Sequence, residues 1–157
     1  MKMPSVTILA ALLVLGGCGA MAAVPASDLQ HQGVHSIDLS SGEIFDKSQE
    51  WLALTFVDSK AVIESANRDT GKIIGAGATS ISPMSMLNIP VRFTIIIEAK
   101  EGRYRTTYTN YVAYHGTYQN QPIPVQDQVS ADLINQKLVK LDISLLEYLQ
   151  GSDKDEW

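Results

Sequence analysis

Two strand-like stretches separated by a two-residue turn constrain the fold of this chain more than any other feature. Residues 90–100 and 103–115 are rich in β-branched and aromatic side chains and flank a Glu-Gly pair. This arrangement predicts a β-hairpin in which Lys100 faces Arg103 if the loop has two residues, whereas a three-residue bulged turn would shift the register by one. Because side chains alternate across a strand, that register assigns one set of residues to the core. The predicted core set is Val91, Phe93, Ile95, Ile97, Ala99, Tyr104, Thr106, Tyr108, Asn110 and Val112.

The opposite face of the predicted hairpin carries cations, hydroxyl groups and an aromatic ring. The register places Glu98 opposite Arg105 and Arg92 opposite Tyr111, and both pairs attract each other across strands. Rigid sheet surfaces of this composition suit sugars, peptides or anionic groups, although the solvated face of an antiparallel sheet is also commonly polar. Both interpretations apply to the same candidate binding face. Its residues are Arg92, Thr94, Ile96, Arg105, Thr107, Thr109 and Tyr111.

Two amphipathic helices are predicted. Ser40 and Glu43 have the spacing of a capping box, which predicts a helix from there to about Phe56. Apolar residues recur every three or four positions from Ile134 to Tyr148, which predicts a second helix that ends at a glycine. The apolar stripe of this second helix would suit a coiled-coil partner, but beside an uncovered sheet it is more typical of intramolecular core.

The remaining segments predict three further strands. Alternation at 34–39 indicates a short first strand, and the stretches 61–67 and 72–79 flank a glycine-containing turn, as in a hairpin. Residues 80–88 and 119–125 contain prolines and are interpreted as loops. The chain order is therefore β-α-β-β-β-β-α, an α+β domain with a five-stranded antiparallel sheet.

The N-terminus has the features of an export signal. Lys2 precedes an apolar stretch, residues 6–15, that is too short to span a bilayer. Small residues lead into Cys18, which is similar to the lipobox of bacterial lipoproteins, where the cysteine is acylated. Residues 20–22 also fit conventional signal cleavage, and a retained membrane anchor is a third interpretation. Cys18 is the only cysteine in the chain, so an intramolecular disulfide is excluded.

The lipoprotein interpretation divides the chain into four parts: a signal peptide at 1–17, a flexible tether at 18–32, a folded domain at 33–150 and an acidic tail at 151–157. The membrane is then a partner through the N-terminal lipid, since multiple acyl chains give stable anchoring. The resemblance to Gram-negative lipoproteins implies a location in the cell envelope. Gly19 after the cysteine favours the outer membrane, with the domain in the periplasm.

Several segments of the domain are similar to a known bacterial family. The most specific are Trp51, Asp69-Thr70-Gly71 with Ile73, Gly75 and Gly77, and Lys100 to Tyr104. They resemble a bacterial domain of unknown function with a TATA-binding-protein-like (TBP-like) fold, over roughly Gly33 to Tyr148. The resemblance implies a two-layer fold, a curved antiparallel sheet with both helices on one face and an open opposite face. It brings no catalytic site, and a shared fold does not transfer DNA binding.

Composition and motifs argue against several function classes. The chain has 12 Lys and Arg against 17 Asp and Glu, a formal charge of −5, with no clustered basic face. Nucleic acid is therefore a poor candidate partner. His31 and His35 fall on a tether and a strand, where residues four apart diverge, so they and His115 are interpreted as polar surface and no metal is expected. The acidic residues Glu43, Glu64, Glu98 and Asp142 show no spacing typical of an acid–base pair.

These observations leave three hypotheses for function. The first is a non-enzymatic, lipid-anchored envelope protein whose domain binds a partner protein or another envelope component, without a cofactor. The alternative is a receptor for a small ligand or glycan that uses the candidate binding face. An uncharacterised hydrolase is the third.

Overall fold

Six strands and two helices make up the part of the chain that the computed structural model describes, namely residues 24–25, 29–56, 62–84, 87–116 and 119–151. In chain order the elements are β1 (His31–Ser36), α1 (Ser41–Thr55), β2 (Val62–Asn67), β3 (Lys72–Met84), β4 (Leu87–Lys100), β5 (Arg103–His115), β6 (Gln121–Pro124) and α2 (Gln128–Leu149).

All six strands belong to one antiparallel sheet with the order β1-β5-β4-β3-β2. The short strand β6 also pairs with β5, along the part of its edge that β1 leaves unpaired. Both helices pack on one face of this sheet, which confirms the predicted α+β, two-layer architecture. The sequence did not predict β6, because its two prolines indicate a loop; they are tolerated here since β6 lies at the edge of the sheet.

Helix α1 begins as the sequence predicts, and side chains cap both helices. Ser40 caps α1: its hydroxyl accepts from the backbone N–H of Glu43, whose carboxylate accepts from the backbone N–H of Ser40 at 2.9 Å. Asp127 caps α2 by accepting from the backbone N–H of Ser130. The Ser40 hydrogen bonds lower the pKa of Glu43. Helices and sheet bury a shared core that includes Ile44, Trp51, Ile73, Val91, Phe93, Ile95, Ile97, Tyr108, Ile134, Leu138 and Leu145.

The predicted loop at 80–88 is mostly strand. β3 continues through Met84 and β4 begins at Leu87, and the two strands pair along this extension. Ile81 and Ile89 face each other there and are buried, which accounts for the longer hairpin. Pro83, which favoured a loop, lies between Ile81 and Met84, where the regular pairing with β4 is interrupted.

The folded domain also begins earlier than predicted. Leu29 is buried, the backbone N–H of Val24 donates to Gln126 at 3.0 Å, and β1 starts at His31. The predicted tether at 18–32 therefore includes residues of the domain. Cys18 and the tail at 152–157 lie outside the described residues. Within the described residues, neither helix is long and apolar enough to cross a membrane.

The register of the β4–β5 hairpin is as predicted near its turn and changes further along. Lys100 faces Arg103, and the pairing continues without a shift to Thr94 and Thr109. A β-bulge follows at Asn110, whose φ is +56°. Two residues of β5 there oppose one residue of β4, so Arg92 faces Val112. Because a bulge exchanges the two faces, Asn110 and Val112 leave the predicted core set, whereas its other members are buried.

Candidate binding face

The side of the sheet opposite both helices is an accessible surface that we term the outer face. Side chains alternate between the two sides of each strand, and none of the outward residues in this set is buried. On β1, β3, β4 and β5 the outer face includes Gln32, Val34, Ser36, Lys72, Ile74, Ala76, Ala78, Arg92, Thr94, Ile96, Glu98, Lys100, Arg103, Arg105, Thr107, Thr109, Val112 and Tyr114.

The outer face is basic although the chain is acidic. It carries several cations and one carboxylate, that of Glu98, whereas the whole chain has a formal charge of −5. The expectation of no clustered basic face was wrong, because the pairing of β4 with β5 and β3 adds Arg92 and Lys72 to the cations near the hairpin turn. The cations of the outer face are Lys72, Arg92, Lys100, Arg103 and Arg105.

The structure places the predicted site residues on the outer face, with the exception of Tyr111. Arg105 donates from Nε to Glu98 at 2.8 Å, the cross-strand pair expected from the register. The guanidinium carbon of Arg92 lies 5.2 Å from the ring centre of Tyr114, a cation–π geometry. The residues that are brought together are Arg92, Thr94, Ile96, Arg105, Thr107 and Thr109.

Two hydroxyl groups of the outer face have partners on neighbouring strands. Thr94 accepts from the side-chain amide of Asn110 at 3.3 Å, and Thr107 accepts from that of Gln32 at 3.0 Å. These bonds join β1, β5 and β4 across the surface. The centre of the outer face is therefore a preformed polar platform.

Tyr111 lies on the helix side of the sheet, because the bulge at Asn110 turns it inward. It is 5% exposed, and its hydroxyl lies 3.1 Å from Oδ1 of Asn135 on α2 and 3.2 Å from the carbonyl of Tyr108. Burial raises the pKa of Tyr111 to about 12. The ring over which Arg92 lies is that of Tyr114 instead.

The turn end of the β4–β5 hairpin carries two cations that the sequence prediction left out of the site. Lys100 and Arg103 are directly paired, and both are exposed. Among the described residues, neither has a carboxylate within ion-pair distance. A depression of about 260 Å³ lies beside them, lined by Val34, Glu98, Lys100, Arg103, Tyr104 and Arg105.

Behind this region, on the helix side, lies a buried polar group that we term the Asp142 cluster: His31, His35, Tyr104, Thr106, Tyr108 and Asp142. Oδ1 of Asp142 accepts from the hydroxyls of Thr106 at 2.7 Å and Tyr108 at 2.9 Å. Oδ2 lies 2.9 Å from Nε2 of His31. The Asp142 carboxylate on α2 thus contacts side chains of both β5 and β1. These contacts link the edge strand β1 to the helix layer.

Two polar atoms of the Asp142 cluster, Nε2 of His35 and the hydroxyl of Tyr104, are buried and have no hydrogen-bond partner in the part of the chain that the structure describes. Their rings stack with centres 5.1 Å apart. Burial, and then the charge of Asp142, raise the pKa of Tyr104 and of Tyr108 above the ordinary value. Among the described residues, no group of three or more His, Cys, Asp or Glu side chains is arranged to hold a metal ion.

The interpretation of His31 and His35 as polar surface was wrong. His31 and His35 face the helices rather than the solvent, because β1 begins at His31 and its alternate residues point inward. The sequence did contain a pattern that indicates burial of Asp142. It lies four residues after Leu138 and three before Leu145, on the stripe of α2 that is buried. A carboxylate at such a position requires buried donors.

The comparisons with known proteins agree with this architecture. A family model described as a domain of unknown function (DUF4468) with TBP-like fold matches residues 32–113. The chain belongs to this family. The match runs from β1 into β5 and ends before α2, whereas the resemblance seen in the sequence extended to Tyr148.

Two crystal structures are similar to this DUF4468 domain. A TBP-like protein from Parabacteroides distasonis ATCC 8503 has a TM-score of 0.65 at 12% identity, covering 77% of this chain and 92% of that one. A DUF4468 family protein from Bacteroides ovatus ATCC 8483 has a TM-score of 0.60 at 15% identity, covering 87% and 95%. At these identities the likeness concerns the fold alone. The comparison with curated proteins gave no match.

Proposed function

We propose that this DUF4468 domain is a non-catalytic binding module of the bacterial cell envelope, and that its outer face binds an acidic partner protein. One observation carries the proposal: on β1, β3, β4 and β5 the outer face of this acidic chain presents five cations and a single carboxylate. Complementary charge favours association with an acidic surface and speeds encounter. The sheet is a rigid support for such contacts.

The envelope part of the proposal rests on the N-terminal sequence. Cys18 follows an apolar stretch and two glycines, and it is the only cysteine of the chain. Acyl chains on Cys18 would anchor the domain to a membrane. Replacing Cys18 by Ser is expected to abolish incorporation of labelled fatty acid and to release the protein from membranes. Incorporation that persists in Cys18→Ser would contradict lipidation at this residue.

The binding part is tested by charge reversal on either side of the domain. Lys72→Glu with Arg92→Glu reverses two cations of the outer face. Lys137→Glu with Lys140→Glu makes the same charge change on the exposed side of α2. The lipidated proteins are used to capture partners from crosslinked envelopes, after melting curves have shown that each variant is folded.

We expect an acidic protein that wild type and the α2 variant capture and that the outer-face variant loses. The same set of captured proteins for both variants would overturn the proposal. Because nucleic acid is also anionic, a parallel sample is treated with nuclease. Capture is expected to persist after this treatment, and its loss would contradict a protein partner.

A second candidate is a glycan receptor, and one observation favours it. The ring of Tyr114 and the hydroxyls of Thr94, Thr107 and Thr109 lie on the outer face, and sugars bind to surfaces that combine rings with polar groups. A specific ligand would raise the melting temperature of the domain. An unchanged melting temperature across a panel of glycans and peptidoglycan fragments would count against this candidate.

A further inference from the structure

The turn end of the β4–β5 hairpin combines like charges in an arrangement that costs stability. Lys100 and Arg103 are paired directly across the two strands, both side chains project from the outer face, and both are exposed. Like charges at directly opposed positions of an antiparallel pair destabilise it. An anion between the two cations would remove this cost.

The nearest carboxylates do not supply that anion. Glu98, in the adjacent pair, accepts from Nε of Arg105 at 2.8 Å. Glu101, between Lys100 and Arg103 in the sequence, accepts from the backbone N–H of Ser41 at 3.2 Å. It is therefore engaged at the N-terminus of α1, where a negative charge is favourable.

The turn between the two cations is hydrogen-bonded to the segment that follows β1. The N–H of Ile37 donates to the carbonyl of Gly102 at 3.0 Å, and the N–H of Gly102 donates to the carbonyl of Leu39 at 3.1 Å. Gly102 has a φ of +70°, which allows the tight turn. The backbone that carries Lys100 and Arg103 is thus fixed before any ligand arrives, and a site on a fixed backbone loses less entropy on binding.

A concave surface and an apolar side chain complete the site. The depression of about 260 Å³ is lined by both cations, by Val34 and Tyr104, and by Arg105 with its ion-pair partner Glu98. Val34 is 65% exposed on the neighbouring strand β1. An anionic group could therefore contact the cations while the carbon atoms next to it cover Val34.

From this geometry we infer that Lys100 and Arg103 form a binding site for one oxyanionic group, a carboxylate or a phosphate, attached to an apolar carbon skeleton. Arg supplies paired N–H donors to such a group and Lys a point charge. The inference rests on the proposed function, because it names the group by which a partner of the outer face is recognised. The like-charge pair is then a stability cost retained for binding.

The test is a titration of the isotope-labelled full chain, followed by NMR, with acetate in one arm and inorganic phosphate in the other, at constant ionic strength set by chloride. We expect saturable shifts in at least one arm at the amides of Val34 and of residues 98–105. In Lys100→Gln with Arg103→Gln, binding is expected to weaken by about tenfold or more. Lys137→Gln with Lys140→Gln removes the same charge from α2 and is expected to bind like wild type.

The two arms identify the group: saturation by acetate indicates a carboxylate, and saturation by phosphate alone indicates a phosphate. No saturable shift in either arm, or equal binding by the hairpin variant, would overturn the inference. Without anion, the hairpin variant is expected to melt at a higher temperature than wild type, because the repulsion is gone. If this site fails while the charge-reversal experiment on Lys72 and Arg92 succeeds, the binding module stands and only its anion site is wrong.

Discussion

Oδ2 of Asp142 lies 2.6 Å from the position that a Cβ atom on Gly33 would occupy. The same position is 2.9 Å from Nε2 of His35 and 3.0 Å from Oγ1 of Thr106. Only glycine at position 33 leaves room for the Asp142 carboxylate of α2 to pack against β1. Gly33 is therefore the residue of β1 on which the Asp142 cluster depends.

Gly33→Ala is expected to destabilise the domain by about 1–3 kcal/mol, since the methyl group would displace hydrogen-bonded atoms in a packed core. Gly42→Ala is the matched control. A Cβ there would meet the flexible end of Arg68 at 3.2 Å, and alanine favours the helix. Urea denaturation measures both changes. A loss for Gly33→Ala no larger than that for Gly42→Ala would contradict the packing described for the cluster.

Asp142→Ala is expected to cost about 2–4 kcal/mol, because it leaves the hydroxyls of Thr106 and Tyr108 and the ring of His31 without their acceptor. Asp142→Asn is expected to cost less. Its carbonyl still accepts from the hydroxyls, and neutral His31 accepts from the amide after a change of tautomer. The control Asp132→Ala, on the exposed side of α2, is expected to stay within about 0.5 kcal/mol of wild type. Equal losses for the Ala and Asn variants at 142 would argue against this network.

The buried tyrosines predict that the stability of the domain falls at high pH. The pKa values of Tyr104, Tyr108 and Tyr111 are raised above the ordinary value of 10.0, mainly by burial. Above pH 10 the unfolded chain loses these protons before the folded chain does, so the free energy of unfolding falls as pH rises. Tyrosinate absorbance of the native protein is expected to show these three groups protonated at pH 11. Ionisation of all tyrosines together near pH 10, with the fold intact, would refute the burial described here.

The backbone conformation of the bulge can be tested by substitutions at Asn110. Its φ of +56° suits Asn or Gly and strains a β-branched residue. Asn110→Val is expected to lose about 1–3 kcal/mol, and Asn110→Gly is expected to remain within about 1 kcal/mol of wild type. Thr109→Val, one residue earlier and on regular strand, serves as the control and should change stability little. If Val were as well tolerated at 110 as at 109, a left-handed residue at this position would be excluded.

The elements that local patterns specify were predicted from the sequence. The capping box at Ser40, the apolar stripe of α2 and the two-residue turn after Lys100 each depend on residues close in the chain. Repeated hydrophobic spacing and turn residues are sufficient to identify such elements.

The features that the sequence did not predict depend on contacts between residues that are far apart in the chain. The bulge at Asn110 inverts the pattern of β5, so Tyr111 faces α2 although the regular alternation places it outward. The Asp142 cluster needs His31 to meet a residue 111 positions away. Lys72 joins the cations of the β4–β5 hairpin only because β3 pairs with β4, and the sequence pattern does not give this strand order.

Site-specific photocrosslinking in the native host tests most directly whether the outer face is the binding surface. A photoreactive aromatic residue at Thr107 lies near the middle of the outer face, and one at Gln136 lies on the exposed side of α2. We predict a discrete crosslinked adduct from position 107 and none from position 136. An adduct from position 136 alone would contradict the account, and so would the absence of any adduct from position 107 in protein that is folded and correctly localised.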